Sequence, residues 1–247
     1  SPTESTVTFI GAAQTSSAPG DYIDATMDEV AIWNVTLSHE DIAELSGYGI
    51  DKSIYGNNAT LMNESWVNYT NYKFGEAMEF INTGTYVRIP NSSGFNFSTG
   101  DFAIEAWVYP SKSNADTIFD LRGVTSADYI QFQGNGDGGL SLNAGTAPGV
   151  AGGNAPLNAW HHAVATRASG TIRLYLDGIQ VASASNTATL GGDDHGVTIG
   201  RYQEPTGSPY GEPWIGAIDE VAVWNKSLSA DKIAEHAGAK VLDYSGF

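Results

Sequence analysis

Aromatic rings beside amide groups are the side chains of this 247-residue sequence that are best suited to ligand chemistry. Carbohydrate sites combine aromatic surfaces with a few amide or carboxylate groups that fix the ligand's orientation. The candidates lie in a predicted strand and in a long loop rich in Pro and Gly, and such loops are often functional. We predict carbohydrate binding by Tyr129, Gln131, Tyr202, Tyr210 and Trp214, with Gln203 as a further candidate. The alternative for each aromatic ring is that it packs the loop against its own sheet.

His161 and His162 are adjacent, and histidine is a common metal ligand. Neighbouring residues of a strand point to opposite faces, so the two rings cannot easily bind one ion. We therefore favour a structural role, with Trp160 in the core and a histidine bonded to nearby backbone or carboxylate.

Catalytic carboxylates are the next candidates, because a glycosidase needs two of them across the scissile bond. Residues two apart on a strand share a face, but the same-face neighbours of Glu105 are Ala103 and Trp107. Asp219 and Glu220 are adjacent and point apart. The sequence thus predicts that the protein is not an enzyme.

Composition narrows the classes of partner. Eleven Lys and Arg residues against 28 Asp and Glu residues give a formal charge of -17, so nucleic acid is not an expected partner. The absence of Cys excludes disulfides, thiolate catalysis and cysteine-based zinc sites. No apolar run approaches the ~20 residues of a membrane span, so we expect no membrane insertion within this chain.

Glycosylation motifs indicate the compartment. Seven Asn-x-Ser/Thr acceptors are present, at Asn34, Asn58, Asn63, Asn68, Asn91, Asn96 and Asn225. Chance occurrence in a chain rich in Asn, Ser and Thr is the alternative at each site. Five acceptors lie between residues 58 and 96, and this clustering agrees with an extracellular or cell-surface glycoprotein.

An internal repeat indicates the domain boundaries. Residues 28–47 and 219–238 are identical at twelve of twenty positions. Residues 243–247 also resemble residues 51–56 in sequence. We predict that residues 1–49 are the C-terminal part of one module, that residues 51–242 form a complete module, and that residues 243–247 begin a third. The alternative is one enlarged domain whose two halves converged on a strand motif.

Strand periodicity predicts the fold class. Residues 102–109 alternate, with Phe102, Ile104, Ala106 and Val108 on one face, as in a strand of a sandwich. Asp177-Gly178 between two apolar runs is a strong hairpin signal. Further strands are predicted at 78–81, 86–89, 117–121, 129–132, 140–142, 163–166, 172–176, 179–182, 197–199 and 217–224. Two short helices are expected, with N-caps at Ser38 and Ser229.

Seven motifs in order carry a family resemblance over about 190 residues. The chain resembles the laminin G-like jelly-roll module of the concanavalin A-like lectin/glucanase superfamily. This resemblance implies a jelly roll of two antiparallel sheets, which occurs in secreted adhesins, surface proteins and enzyme accessory domains. The motifs are Asp51-x-Ser-x-x-Gly56-Asn57-Asn58, Phe74-Gly75-x-Ala77-Met-x-Phe80, Tyr86-Val-x-Ile89-Pro90, Phe102-x-Ile-Glu-Ala-Trp-Val108, Leu157-Asn-x-Trp-His-His162, Ile172-Arg-Leu-Tyr-x-Asp177-Gly178 and Ile218-Asp-Glu-Val221.

The resemblance also implies a structural calcium ion held by Asp51, Asn57 and Asp219. Calcium favours carboxylate, amide and carbonyl oxygens, which suits these residue types. Ile54 and Tyr55 depart from the family pattern, where Gly and Asn are commoner. The alternative is that Asp51 and Asn57 shape a turn and that Asp219 caps a strand end.

Two functions follow from these observations. The first is a non-catalytic structural and adhesive module of a surface protein or filament built from tandem jelly rolls, with neighbouring modules or identical subunits as partners. The alternative is a calcium-dependent carbohydrate-binding module, either an adhesin or the accessory domain of a glycan-active enzyme, with glycans as partners.

Overall fold

A computed structural model describes residues 13–14, 19–20, 57–62, 67–68, 73, 77–81, 84–113, 116–123, 128–136, 138–191, 195–203 and 211–238. The chain divides into two compact units, Ser1–Ser46 and Gly47–Phe247. Within the first unit the structure describes the antiparallel strands β1 (Ala13–Gln14) and β2 (Pro19–Gly20). The helix predicted at Ser38 and the third module at 243–247 lie outside the described residues, and the three-module organisation stays a prediction.

The second unit contains two antiparallel sheets of seven strands each. Sheet A has the order β11-β10-β9-β8-β15-β6-β3, and sheet B has the order β14-β13-β12-β7-β16-β5-β4. The strands are β3 (Thr60–Met62), β4 (Val67–Asn68), β5 (Ala77–Phe80), β6 (Tyr86–Ile89), β7 (Phe102–Pro110), β8 (Thr117–Arg122), β9 (Tyr129–Gly134), β10 (Leu140–Ala144), β11 (Val150–Gly152), β12 (His161–Ala168), β13 (Thr171–Leu176), β14 (Ile179–Ser185), β15 (Val197–Ile199) and β16 (Gly216–Trp224).

Pairing between strands that are distant in the chain gives the sandwich its topology. In sheet B, β7 lies between β12 and β16, and in sheet A, β15 lies between β6 and β8. The predicted all-β class, a two-sheet antiparallel jelly roll with short helices, is confirmed.

The hydrophobic core lies between the two sheets. As predicted from the alternation, Phe102, Ile104, Ala106 and Val108 all belong to it and are at most 1% exposed. The apolar residues of sheet A that face them come from β6, β8, β9, β10 and β15. The strand β7 therefore has one apolar face toward the core, and its other face is turned away from the core.

Arg167 is a fully buried cation on the core side of β12. Its guanidinium donates hydrogen bonds to the backbone carbonyls of Ser98 at 2.7 Å, Gly100 at 2.8 Å and Ala188 at 2.8 Å. Burial lowers the pKa of Arg167, and the charge of Asp101 opposes that shift. The side chain thus connects β12 to two loops that are distant from it in the sequence.

The helix α1 (Ala230–His236) covers the outer face of sheet B. Its predicted N-cap is confirmed, because Ser229 Oγ accepts a hydrogen bond from the backbone N–H of Lys232 at 3.2 Å. Ile233 is 0% exposed and packs against Val164 and Tyr175. A short 3₁₀ helix, Ser93–Phe95, precedes β7.

The predicted hairpin at Asp177-Gly178 joins β13 to β14. Both turn residues have positive φ, +51° and +81°, as a two-residue type I′ turn requires. Gly178 also lies close to α1, because a Cβ there would come within 3.1 Å of Ala234 Cα. The local sequence signal therefore also sets how near the helix approaches the hairpin.

Candidate functional site

The outer face of sheet A brings several predicted ligand residues together. In β9, Ile130 and Phe132 point into the core, so Tyr129 and Gln131 point to the outer face. Opposite them in β8 stand Arg122 and Asp120, which share this face because cross-strand partners point the same way. We call Asp120, Arg122, Tyr129, Gln131, Tyr202, Gln203 and Glu212 the sheet A site.

An ion pair forms the buried base of the sheet A site. Arg122 Nε donates to Asp120 Oδ2 at 3.1 Å, and Nη2 lies 3.1 Å from Oδ1. The backbone N–H of Gln203 also donates to Asp120 Oδ2, at 3.1 Å. Burial raises the pKa of Asp120 to about 7, although the charge and hydrogen bond of Arg122 oppose the shift. This pair fixes the guanidinium plane and ties the segment after β15 to β8.

Two tyrosines lie against the same guanidinium. The Arg122 Cζ atom is 4.3 Å from the ring centroid of Tyr129 and 4.5 Å from that of Tyr202. These distances allow cation–π attraction at both rings. Both tyrosines are partly exposed, so each keeps ring surface that solvent can reach. The structure thus places Tyr129 and Tyr202, both predicted from sequence, against one arginine, and it places the predicted Gln131 opposite Asp120.

Carboxylates and amides surround the rings. Gln131 Nε2 donates to Glu212 Oε2 at 2.7 Å, and Glu212 is exposed at the rim. Asp116 is 4% exposed. Burial raises the pKa of Asp116 to about 6, while Lys112 lowers it and Glu212 raises it. Gln203 is fully buried, and its Oε1 accepts no hydrogen bond within the described part of the chain.

Sequence reasoning missed Asp120, Arg122 and Glu212. The sequence does carry a signal for the first two, since charged residues alternate with Phe119 and Leu121 in a predicted strand. Glu212 follows a loop and has no such pattern.

Two other predicted carbohydrate residues have different outcomes. Trp214 is 3% exposed and belongs to the hydrophobic core, so its prediction as an exposed platform is wrong. Its backbone N–H donates to the carbonyl of Gly200 at 2.9 Å, which draws this part of the loop against the sheets. Tyr210 lies outside the described residues.

The predicted calcium ligands are described in part. Asp51 lies outside the described residues, while Asn57 is partly exposed. Asp219 Oδ2 accepts from the backbone N–H of Lys73 at 3.0 Å, and Oδ1 accepts from that of Glu220 at 2.8 Å. Calcium favours carboxylate oxygens, so the residue type of Asp219 suits a calcium ligand.

The charges near Asp219 also suit a cation. Burial raises the pKa of Glu220, and the charges of Asp219 and Glu105 raise it further. In the described ranges no group of three or more His, Cys, Asp or Glu side chains could hold a metal ion by itself. The calcium site stays a prediction.

The adjacent histidines have the predicted structural role on opposite faces of β12. His161 Nδ1 is 2.8 Å from Asp177 Oδ2, and its Nε2 is 3.0 Å from the Pro156 carbonyl oxygen. His162 Nε2 is 3.4 Å from Glu105 Oε2 on the outer face of sheet B. The predicted core position of Trp160 is wrong, because this ring is half-buried and packs edge-on against Tyr109 at 5.6 Å.

Helix α1 completes a polar cluster around Glu105. His236 Nδ1 donates to Glu105 Oε1 at 3.0 Å and to Oε2 at 2.9 Å. The ring of His162 lies 5.2 Å from that of Trp107, and the Nζ atom of Lys73 is 3.8 Å from the Trp107 ring centroid. The part of the outer face of sheet B around Glu105 is therefore occupied by contacts within the chain.

The predicted glycosylation sites are partly described. Asn58, Asn91, Asn96 and Asn225 are exposed, as an acceptor must be. Asn34 and Asn63 lie outside the described residues, and Asn68 is described only by its backbone in β4. Glycosylation stays a prediction at all seven positions.

Comparison with known proteins assigns the family. Residues 82–234, more than half of the chain, match the laminin G-like family model described as the concanavalin A-like lectin/glucanases superfamily. The chain belongs to this family, as the sequence motifs predicted. No curated protein matches the chain. None of the helices in the described ranges has the length and apolarity needed to cross a membrane.

Solved structures of binding domains share the fold. Domain 4 of an extracellular GH43 arabinanase from Geobacillus stearothermophilus, in complex with arabinotriose, matches with TM-score 0.61 and 20% identity over 78% of this chain and 94% of that chain. The receptor-binding domain of botulinum neurotoxin C/D mosaic serotype matches with TM-score 0.59 and 16% identity over 78% and 49%. A protein from Bacteroides ovatus that is provisionally described as carbohydrate binding matches with TM-score 0.51 and 23% identity, over 64% of this chain and 46% of that chain. At these identities the likeness shows the fold alone, and the chain spans about half the length of the last two.

Proposed function

We propose that this chain is a non-catalytic, extracellular adhesive module that binds carbohydrate at the sheet A site. The observation that carries the proposal is the convergence of Tyr129, Gln131 and Tyr202 around the Arg122–Asp120 pair. These residues supply the two elements that a sugar site needs, aromatic surface and oriented polar groups.

The chemistry of the site suits sugar hydroxyls. Glu212 at the rim and the amide oxygen of Gln131 are hydrogen-bond acceptors, and hydroxyl groups are donors. The rings of Tyr129 and Tyr202 offer apolar surface for the C–H faces of a sugar. Because Arg122 contacts both rings before any ligand arrives, little side-chain entropy remains to be lost on binding.

The fold comparisons support the class of ligand. The arabinanase domain was solved with arabinotriose, and the Bacteroides ovatus protein is described as carbohydrate binding. A lectin-like sandwich whose relatives include binding domains agrees with a module that binds rather than catalyses.

A glycan array probed with and without calcium tests the proposal, followed by titration of each hit with the Tyr129→Ala variant. We expect Tyr129→Ala to weaken binding about tenfold, which corresponds to about 1.4 kcal/mol, because tyrosine is enriched among the contact residues whose truncation costs most. Tyr109→Ala is the matched control, since Tyr109 is an equally half-buried tyrosine on the outer face of sheet B. Equal losses in both variants would contradict a site on sheet A.

A second function is supported by a separate observation, the repeat of residues 28–47 at 219–238. In this alternative the module is a structural unit of a tandem array or filament and has neighbouring modules or identical subunits as partners. A folded chain that stays silent on the array in both calcium conditions favours this function over carbohydrate binding.

We also propose a structural calcium ion at Asp219, with Asn57 and Asp51 as further ligands. The proposal is supported by the carboxylate of Asp219, a group that calcium prefers as a ligand, and by the concentration of carboxylates around it. Calorimetric titration of chelator-treated protein should release or absorb heat, and saturating calcium should raise the melting temperature. Asp219→Asn should abolish both effects, whereas Asp231→Asn on the exposed side of α1 should keep them. If calcium produced neither a heat of binding nor a rise in melting temperature in the unmodified chain, the proposed calcium site would be wrong.

A further inference from the structure

The hairpin that joins β9 to β10 contains the only Asn-Gly pair of the sequence, Asn135-Gly136. The backbone N–H of Asn135 donates to the carbonyl oxygen of Gly139 at 2.9 Å, and Ser113 Oγ donates to the carbonyl oxygen of Gly136 at 2.9 Å. Asn135 is partly exposed and Gly136 is exposed, so water reaches both residues. The hairpin therefore holds a side-chain amide, the peptide nitrogen that follows it and solvent at one place.

The space around Gly136 suits an attack by its backbone nitrogen. A bond between this nitrogen and Asn135 Cγ closes a five-membered ring, and glycine has no Cβ that could hinder the approach. Within the described part of the chain, no atom lies within 4 Å of a Cβ placed on Gly136, and its φ is outside the left-handed region. The surroundings of the pair thus leave room for the ring.

One hydrogen bond activates the carbon atom that would be attacked. The backbone N–H of Gly139 donates to Asn135 Oδ1 at 2.9 Å. This donor withdraws electron density from Cγ, and it stabilises the negative charge that Oδ1 gains when a nucleophile adds to Cγ. The amide of Asn135 is therefore a better electrophile in this hairpin than it is in water.

A second hydrogen bond activates the nitrogen that would attack. The backbone N–H of Gly138 donates to the main-chain carbonyl oxygen of Asn135 at 3.0 Å. This carbonyl belongs to the same peptide group as the Gly136 nitrogen, and hydrogen bonds along such a chain polarise one another. The Gly136 N–H therefore becomes more acidic, which favours its loss to hydroxide.

We propose that Asn135 is a site of spontaneous deamidation in the folded protein. The Gly136 nitrogen loses its proton to solvent and forms a bond to Asn135 Cγ. The bond between Cγ and Nδ2 breaks, and Nδ2 takes up a proton from solvent and leaves as ammonia. Water then opens the cyclic imide at one of its two carbonyl groups, which gives aspartate or isoaspartate, so water is the only co-reactant.

The two products have different consequences for the hairpin. Aspartate at position 135 keeps an oxygen that can accept from the Gly139 N–H, and it adds a negative charge. Isoaspartate places an extra methylene in the main chain, so the bonds to Gly138 and Gly139 cannot keep their geometry. We therefore expect the isoaspartate form to melt at a lower temperature than the aspartate form.

The test follows the full chain during incubation at mildly alkaline pH, with peptide mapping by mass spectrometry to locate each amide that becomes an acid. We expect conversion at Asn135, whereas Asn158, which is exposed and followed by Ala159, should stay an amide. Gly136→Ala should slow the conversion about tenfold, the effect of a barrier higher by about 1.4 kcal/mol. The added Cβ fits at this position, so the variant should fold.

The control is Asn135→Gln, which should stay unmodified because the longer side chain does not close a five-membered ring. Melting curves establish that each variant is folded, and the chain unfolded in urea shows the reactivity of the sequence without the hairpin. The inference is overturned if Asn135 stays an amide in the folded chain while the unfolded chain converts it. It is also overturned if Gly136→Ala leaves the rate unchanged. Neither result depends on a ligand, so the proposed function is tested separately.

Discussion

The outer faces of the two sheets use one scaffold in different ways. On sheet B, helix α1 places Ile233 over Val164 and Tyr175, and His236 supplies the hydrogen bonds of Glu105. On sheet A, loop residues surround the polar face, and buried polar atoms such as Gln203 Oε1 and Arg201 Nε have no partner among the described residues. His162 Nδ1 is the exception on sheet B.

This difference teaches where a ligand belongs in a sandwich of this kind. Buried polar groups are normally hydrogen-bonded, and each exception needs a reason. A face closed by the chain's own helix has found its partners during folding. The outer face of sheet A, where Gln203 Oε1 has no partner among the described residues, is the face at which we propose ligand binding.

The largest expected effect on stability is at the helix-covered face. Ile233→Ala should lower the free energy of unfolding by about 2–4 kcal/mol, since it empties a fully buried position under α1. Urea denaturation measures the loss. Carbohydrate affinity should not change, because the hydrophobic core separates the two outer faces.

The matched control for this change is Ile179→Ala, because Ile179 in β14 is 70% exposed. That variant should stay within about 0.5 kcal/mol of the parent protein. A comparable loss in both variants, or a loss of carbohydrate binding in Ile233→Ala, would break the division between a structural face and a ligand face.

A smaller effect on stability, which depends on pH, is expected from Asp116 beside sheet A. The pKa of Asp116 is raised to about 6 from an ordinary value of 3.8, so the folded state retains a proton that the unfolded state has lost. The contribution of Asp116 to the free energy of unfolding is therefore fully favourable below pH 3.8, and it is lost as the pH rises through about 6. Asp120, with a pKa of about 7, acts in the same direction.

Asp116→Asn should flatten this profile. Relative to the parent protein, the variant should gain on the order of 1 kcal/mol between pH 4 and pH 8, because its side chain does not titrate. Denaturant unfolding at the two pH values gives the difference. If the unfolding free energy of the two proteins changed with pH in the same way, the pKa of Asp116 would not be raised by burial.

The sequence predicted features that depend on near neighbours in the chain. The strand of residues 102–109, the Asp177-Gly178 hairpin and the Ser229 cap each follow from a few adjacent residues. The shared outer face of Tyr129 and Gln131 follows from their strand pattern for the same reason, and their role in binding stays a prediction.

The rest of the site depends on contacts between distant segments. Arg122 meets Tyr202 because β8 pairs with β15, which follows it about 80 positions later, and no local pattern encodes that pairing. Trp214 looked like a loop platform, but its exposure is decided by the packing of the loop on the core. Trp160 was predicted in the core but is half-buried, because its exposure is also decided by packing between segments.

Arg167 has a consequence for the conditions under which the fold persists. Its guanidinium joins strand β12 to carbonyl groups 69, 67 and 21 positions away. Many extracellular domains fasten such loops with cystine bridges, which open when the surroundings become reducing. This chain has no Cys and joins these loops through the hydrogen bonds of one side chain, which do not depend on redox potential, so we expect its fold to persist in both oxidising and reducing surroundings.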